Sequence, residues 1–370
     1  MLNAKCQVLK FAPRLAVIPL VLGSAFGIQN PALTGRAVPV ETLRSVAALP
    51  AHVAGTFEDI AACHLSPDGD YLVFDRRAHA VYTVGRDNAP KKIIQIGVEA
   101  GRVLSPVAFD SAPDGTFAIA DAPGGLERIQ VFFYLGGTIG GFTLQGRSVP
   151  RVALGNFVLS GIGSLDYTGK TVLVSQPESG ALVSEYGVDG RTLRSFGELR
   201  PTGHEERDRD LHIALNAGIP LAIPDRGGFY FVFLGGVPAF RKYDARGRLL
   251  FERHVEGTEL DEHVQSLPGE WPRRRTGAGE FPIVPPSVRT AGLDPDGNLW
   301  LSLVTPHTYV YDSSGDKRRT VQFRAAGIIT PSNFHFTADG RVLVAPGCYT
   351  FKRKQAALGS PAAVEQADQG

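Results

Sequence analysis

The feature that most constrains this chain is a turn that keeps returning. An apolar strand, a tight turn ending in glycine and a second apolar strand recur along its 370 residues. The first copy reads Cys63-His64-Leu65-Ser66-Pro67-Asp68-Gly69, then Tyr71-Leu72-Val73-Phe74. The second has Val107 to Asp110, Pro113-Asp114-Gly115 and Phe117-Ala118-Ile119-Ala120-Asp121. The third is Leu165-Asp166-Tyr167-Thr168-Gly169 before Val172-Leu173-Val174. A degenerate fourth is read at residues 213–218 before 221–223. The fifth is Leu293-Asp294-Pro295-Asp296-Gly297 before Leu299-Trp300-Leu301, and the sixth Phe336-Thr337-Ala338-Asp339-Gly340 before Val342-Leu343-Val344. Turn glycines fall at 69, 115, 169, 218, 297 and 340, with gaps of 46, 54, 49, 79 and 43. Asp-Gly suits such a turn because it needs a positive φ, which glycine adopts without a Cβ clash.

Each unit has a second hairpin. Leu182-Val183-Ser184-Glu185-Tyr186 precedes Asp189-Gly190 and Thr192-Leu193-Arg194-Ser195-Phe196. The same plan holds from Ala239 through Arg246-Gly247 to Phe251, and from Thr308 through Ser314-Gly315 to Phe323. The unit is therefore a four-stranded antiparallel meander of about the length of a propeller blade. One such sheet cannot bury both faces alone; copies stacked around an axis can. Composition agrees: 43% hydrophobic residues supply a core, and 43 Gly with 26 Pro supply turns. The expected fold is all-β, a six-bladed β-propeller of four-stranded blades. Sandwiches and β-solenoids also use such hairpins and are the alternatives. The last unit has room for only three strands, so a strand before Cys63, at 38–46 or 51–57, is expected to complete it and close the ring.

The second unit carries a resemblance. Val107-Ala108-Phe109-Asp110, Asp114-Gly115-Thr116-Phe117-Ala118-Ile119-Ala120-Asp121 and Glu127-Arg128-Ile129-Gln130-Val131-Phe132 resemble the NHL repeat, and weaker copies extend this over residues 50–354. The resemblance implies a propeller that serves as scaffold, binding module or, occasionally, enzyme; fold alone does not choose among them.

The N-terminus points to export. Lys5, Lys10 and Arg14 form a basic segment, residues 15–22 (LAVIPLVL) begin an apolar run reaching about 28, and small residues follow at 23–27. That order is expected of a signal peptide over 1–27, and the run is short for a membrane span. An N-terminal segment at 28–50, a propeller at 51–354 and a disordered tail at 355–370 complete the expected organisation. The destination is periplasmic or secreted, and the state a monomer without a stable membrane span. Net charge is +1, or −2 without those three leader bases, so nucleic acid is a poor partner. Cys63 and Cys348 remain after the leader; in an oxidising compartment they are a candidate disulfide, and buried free thiols are the alternative.

Chemistry is less legible. His64 and His335 hold the same register before the turn, on strands that would border a central channel, and His212 lies near the matching strand of the fourth unit. Three such histidines with an open position would make a catalytic zinc site, similar in outline to the propeller peptidyl-hydroxyglycine lyases; separate hydrogen-bonded histidines are the plainer alternative. Asp68, Asp114, Asp296 and Asp339 are calcium-type residues whose hairpin turns account for them. The long fourth gap places about 30 extra residues near 254–289, with Trp271 beside Arg273, Arg274 and Arg275. This is a candidate partner-binding loop, or a solvated charge run. No phosphate loop, Cys-x-x-Cys, His-Glu-x-x-His or nucleophile elbow occurs. The expectation is a module binding a protein, peptide or small molecule through its loop face and channel, with no assigned cofactor. The alternatives are a metal-dependent lyase or hydrolase using zinc or calcium, and a structural envelope component.

Overall fold

The computed structural model describes residues 39–144, 152–154, 157–159, 164–224, 227–276 and 279–353. The expected leader and tail lie outside them. No helix among the described residues is long and apolar enough to cross a membrane.

The protein is all-β, and its strands form antiparallel sheets in which sequence neighbours pair. Sheet one comprises Ile60–Leu65, Tyr71–Asp75, Ala80–Val84 and Pro90–Ile96, with the short strand Arg102–Val103 added parallel at its edge. Sheet two comprises Ala108–Ser111, Phe117–Asp121, Arg128–Phe132 and Thr138–Thr143. Sheet three comprises Leu165–Tyr167, Thr171–Ser175, Val183–Gly187 and Thr192–Phe196. Sheet four comprises Gly218–Ala222, Phe229–Phe233, Ala239–Tyr243 and Leu249–His254. Sheet five comprises Val288–Leu293, Leu299–Leu303, Thr308–Tyr311 and Lys317–Arg324. Sheet six has three strands, Asn333–Phe336, Arg341–Ala345 and Tyr349–Lys352.

A strand from the start of the chain, Val40–Ala47, lies against this last sheet. Its end pairs antiparallel with Tyr349–Lys352, Ser45 opposite Phe351, while Val40 to Arg44 run parallel to Thr320 to Arg324 of sheet five. It thus bridges two sheet edges. The other segment considered for this place, 51–57, begins instead with the helix Ala51–Ala54.

The turns explain themselves. Gly69 and Gly115 sit at φ 84° and 83°. Each donates its N–H to the carbonyl three residues back, Ser66 and Ala112, and the next residue's carbonyl accepts from that same residue's N–H. A side chain in that conformation would be strained, so the recurring glycine is a backbone requirement.

Burial explains the apolar runs. All five residues of Phe117–Asp121, Phe229–Phe233 and Leu299–Leu303 are buried, because these second strands are covered on both faces. Apolar clusters lie between consecutive sheets. Phe74 and Val81 meet Phe109 and Ile119, for instance, and Tyr230 and Phe240 meet Leu299 and Tyr309. Another joins Leu343, Ala345 and Cys348 of the sixth sheet to Ile60, Cys63 and Val73 of the first. The first strands of the sheets touch in the order one to six, and the sixth touches the first. A disulfide between Cys63 and Cys348 crosses that junction.

The residues of the repeat resemblance form a clasp. Arg128 donates to both oxygens of Asp121 and to the carbonyls of Val98 and Arg102. Gln130 donates to Arg102 and accepts from Gly101, and Asp121 also accepts from the Leu104 N–H. Sheet two thereby grips the chain arriving from sheet one.

The fourth unit departs from its sequence reading. Residues Arg209–Leu215 are a helix, capped by Asp208, whose carboxylate accepts from the Leu211 N–H at 3.1 Å. Leu211, Ala214 and Leu215 follow helical spacing. The first hairpin of the sheet follows this helix, connecting Ala222 to Phe229. The surplus chain is therefore split. One part precedes sheet four, and the other holds the helix Thr258–Gln265 and the hairpin Arg273–Thr276 with Gly279–Pro282.

Candidate functional site

The first strands share a register. His64, Asp110, Asp166, Leu221, Gly292 and His335 each occupy the second position before their hairpin, opposite Leu72, Ala118, Leu173, Tyr230, Trp300 and Leu343. Strand alternation turns equivalent positions toward the same side. Five of the six line a cavity of about 970 Å³ whose wall takes residues from all six first strands; His64 lies behind them, 1% exposed.

Two histidines meet there. The His64 and His335 rings stack, with centroids 4.5 Å apart and planes 21° from parallel. Phe109 stands edge-on to His64, and His64 Nδ1 is 2.6 Å from Ser111 Oγ. Burial holds His335 down at about 4. His64 is held well below the ordinary value, first by burial and then by the charge His335 would carry, while Asn333 acts weakly the other way. No well-formed hydrogen bond joins His64 to Asn333: the Nε2 of one and the Oδ1 of the other are buried without partners. Both rings are neutral at pH 7.

That stacking does not fit a shared zinc. Imidazole lone pairs lie in the ring plane, and two nearly parallel rings cannot both aim at one ion 2.0–2.1 Å away. His212 does not join them. It sits on the helix Arg209–Leu215, away from the cavity wall, with Nδ1 2.8 Å from Thr202 Oγ1 and 3.8 Å from Glu205. The sequence puts it near the first strand of the fourth unit, out of register; it lies on the capped helix that precedes that strand. Among the described residues no group of three or more His, Cys, Asp or Glu side chains has metal-site geometry. The turn aspartates are engaged separately: Asp68 with Tyr134, Asp114 with Thr116, Asp296 with Arg353 and Asp339 with Arg341.

The sequence reading passed over two residues that the geometry singles out. Asp110 Oδ2 accepts from the Tyr167 N–H at 2.8 Å, and Asp166 Oδ2 from the Ala222 N–H at 3.0 Å. Each carboxylate staples its strand to the first strand of the next sheet. Burial raises Asp166 to about 7, against the Ala222 hydrogen bond. Asp110 is raised well above the usual carboxylate range by burial and then by the charge of Asp166. The pair therefore retains a proton near neutral pH. A signal was present: Asp110 precedes its turn glycine by five residues, as His64 and His335 do. The third turn is shorter, which hides Asp166 from that count.

The cavity wall mixes carboxyls with apolar side chains. Asp110 and Asp166 stand on sheets two and three, with Ser111 and Ser164; Leu221, Leu293, Phe334 and Phe336 come from sheets four to six. Gly292 makes room for the last: a Cβ there would lie 3.0 Å from the Phe336 ring. Arg289 and Arg76 border the far end, Arg76 paired to Asp59 at 2.8 Å.

Trp271, Arg273, Arg274 and Arg275 do not line this cavity. Trp271 packs against a cluster of Leu211, Ala214, Leu215 and Val284, so it anchors the insertion to the sheet-four helix. Arg273 pairs with Asp208, the cap of that helix, and lies 3.6 Å from Glu280. Arg274 and Arg275 are exposed on the hairpin.

No family model and no curated protein matches the chain. Among solved structures it is similar to a streptogramin B lyase, at 12% identity over 78% of this chain and 76% of that one, with a TM-score of 0.47. It is similar to virginiamycin B lyase from Staphylococcus aureus at 12% identity, over 78% of each chain, with a TM-score of 0.45. It is also similar to a Bacteroides thetaiotaomicron protein of unknown function at 12% identity, over 80% of this chain and 69% of that one, with a TM-score of 0.48.

Proposed function

We propose that this chain is an exported six-bladed β-propeller, closed by its N-terminal strand, that binds a small ligand in its central cavity. The cyclic contact of the first strands and the pairing of Val40–Ala47 with the last sheet support the ring. The disulfide and the basic, apolar leader support an oxidising compartment, periplasmic or external. One observation carries the function. Two carboxyls and a histidine with displaced pKa values face a cavity of about 970 Å³, and such groups gather in sites that take ligands. A second reading is an enzyme that moves a proton, because Asp166 at about 7 can give or accept one at neutral pH.

Filling the cavity tests the binding reading. Leu221, 8% exposed, faces it from sheet four, and Leu221→Trp places an indole in the space a ligand would use. Melting curves of parent and variant would be compared over a panel of small metabolites. A ligand at about 100 times its Kd adds about 2.7 kcal/mol to the parent, and the variant is expected to show no such gain. If the panel stabilises both proteins alike, the cavity is not where ligands bind.

A further inference from the structure

We infer that the ligand of this cavity is a small amphiphilic amine, its ammonium beside Asp110 and Asp166 and its apolar body against Leu221, Leu293, Phe334 and Phe336. The inference rests on the binding reading above and narrows it to a chemical class. The acid pair shares the wall with apolar side chains, Leu165 beside it and Leu221, Leu293 and Phe334 from sheets four to six, so a molecule that fills the cavity meets both kinds of surface. An ammonium is the group the pair lacks. Each aspartate has one backbone N–H from the neighbouring sheet, and neither has a cationic side chain bonded to it.

The other charged groups leave this place open. From sheets one and six come His64 and His335, stacked and neutral at pH 7. Sheet four contributes Leu221 and a backbone N–H, and sheet five Gly292 at this level. The arginines stand apart: Arg289 is three residues from Gly292, about 10 Å along the strand, and Arg76 is held by Asp59. An anion would face two carboxyls with no cation at the same level, and a neutral ligand would leave the acid pair uncompensated. The burial that displaces both carboxyls enlarges these differences.

Three probes of one shape separate the possibilities: phenethylamine, 2-phenylethanol and 3-phenylpropanoate, titrated calorimetrically into the disulfide-bonded protein at pH 6 and pH 8. The amine is expected to bind more tightly than the other two by at least about tenfold, the discrimination that one compensated buried charge supports. Its affinity should rise about tenfold from pH 6 to pH 8, as an acid near 7 gives up its proton. In Asp110→Asn/Asp166→Asn both the advantage and the pH dependence should vanish. Asparagine keeps an oxygen to accept from Tyr167 and Ala222, so this variant retains the staples between sheets. The amine assignment is overturned if the alcohol or the carboxylate binds as tightly, or if the double variant keeps amine affinity. It is also overturned if none of the three binds. In that case a metabolite panel that still distinguishes parent from Leu221→Trp leaves the cavity reading standing, and a silent panel removes both.

Discussion

Replacing Cys63 and Cys348 together with alanine is expected to lower the unfolding free energy by about 5 kcal/mol. The two residues lie 285 positions apart, so their bond closes almost the whole described chain into a loop. Cross-linking removes conformational freedom from the unfolded chain, and the effect grows with the logarithm of loop length. The bond also crosses the junction between the first and the sixth sheet. Cys63 belongs to the first strand of sheet one, Cys348 to the turn before the last strand of sheet six, and both are fully buried in the cluster that joins those sheets. Alanine is the suitable replacement, since a serine hydroxyl would be buried there among Leu49, Val73 and Leu343. Urea unfolding of parent and double variant measures the difference, and parent in reductant should approach the variant. A loss below about 1 kcal/mol, at the bottom of the range for native disulfides, would mean that the apolar cluster and the Val40–Ala47 strand hold the junction without help.

The turn glycines made most of the fold legible. Backbone conformation at Gly69, Gly115, Gly297 and Gly340 admits little else, so those positions repeat even where the strands around them drift. Strands buried on both faces read as continuous apolar runs, and Phe117–Asp121 or Leu299–Leu303 could be placed with no alternation to help. Sheet four was misplaced for a definite reason. The helix Arg209–Leu215 is short and apolar, and it lies where the period called for a strand. Its cap Asp208 and the spacing of Leu211, Ala214 and Leu215 were the signals against that assignment. The error carried His212 with it.

The site was half legible. His64 and His335 could be paired because they share a register on the first strands of the first and last sheets, which touch. What that pairing does was not readable, since stacking depends on side-chain rotamers and not on spacing. Asp110 and Asp166 belong to the repeat, and a repeat residue invites a structural explanation. Asp110 and Asp166 have that structural role, each stapling one sheet to the next, and they border the cavity as well. Trp271 shows the opposite case: conspicuous beside three arginines in sequence, it is spent on packing the insertion against Leu211 and Leu215.

The titration of these groups leads to the second large effect. Asp166 has an ordinary value of 3.8 and about 7 in the fold, so its protonated form favours the folded state. That stability is fully present below about 4 and is lost as pH rises through 7, about 4 kcal/mol in all. His335 runs the other way. Its ordinary value of 6.5 falls to about 4 in the fold, so its contribution is present above 6.5 and is lost as pH falls toward 4, about 3 kcal/mol. Asp110 is displaced in the same direction as Asp166, and His64 in the same direction as His335. The two legs overlap between pH 4 and 7 and oppose each other, so the parent should have a nearly flat stability profile there. In Asp110→Asn/Asp166→Asn only the histidine leg remains. That variant should be more stable than the parent at pH 8, by about 4 kcal/mol from the Asp166 position alone, and should lose its advantage on acidification to pH 4. Its own stability should fall by at least about 3 kcal/mol between pH 6.5 and pH 4. Urea unfolding across pH 4 to 8 reads both slopes, and matching profiles in parent and variant would show that neither aspartate holds a proton near neutrality. A gain at pH 8 would identify the acid pair as a stability cost the fold retains, as expected of groups kept for a ligand or a proton and not for packing.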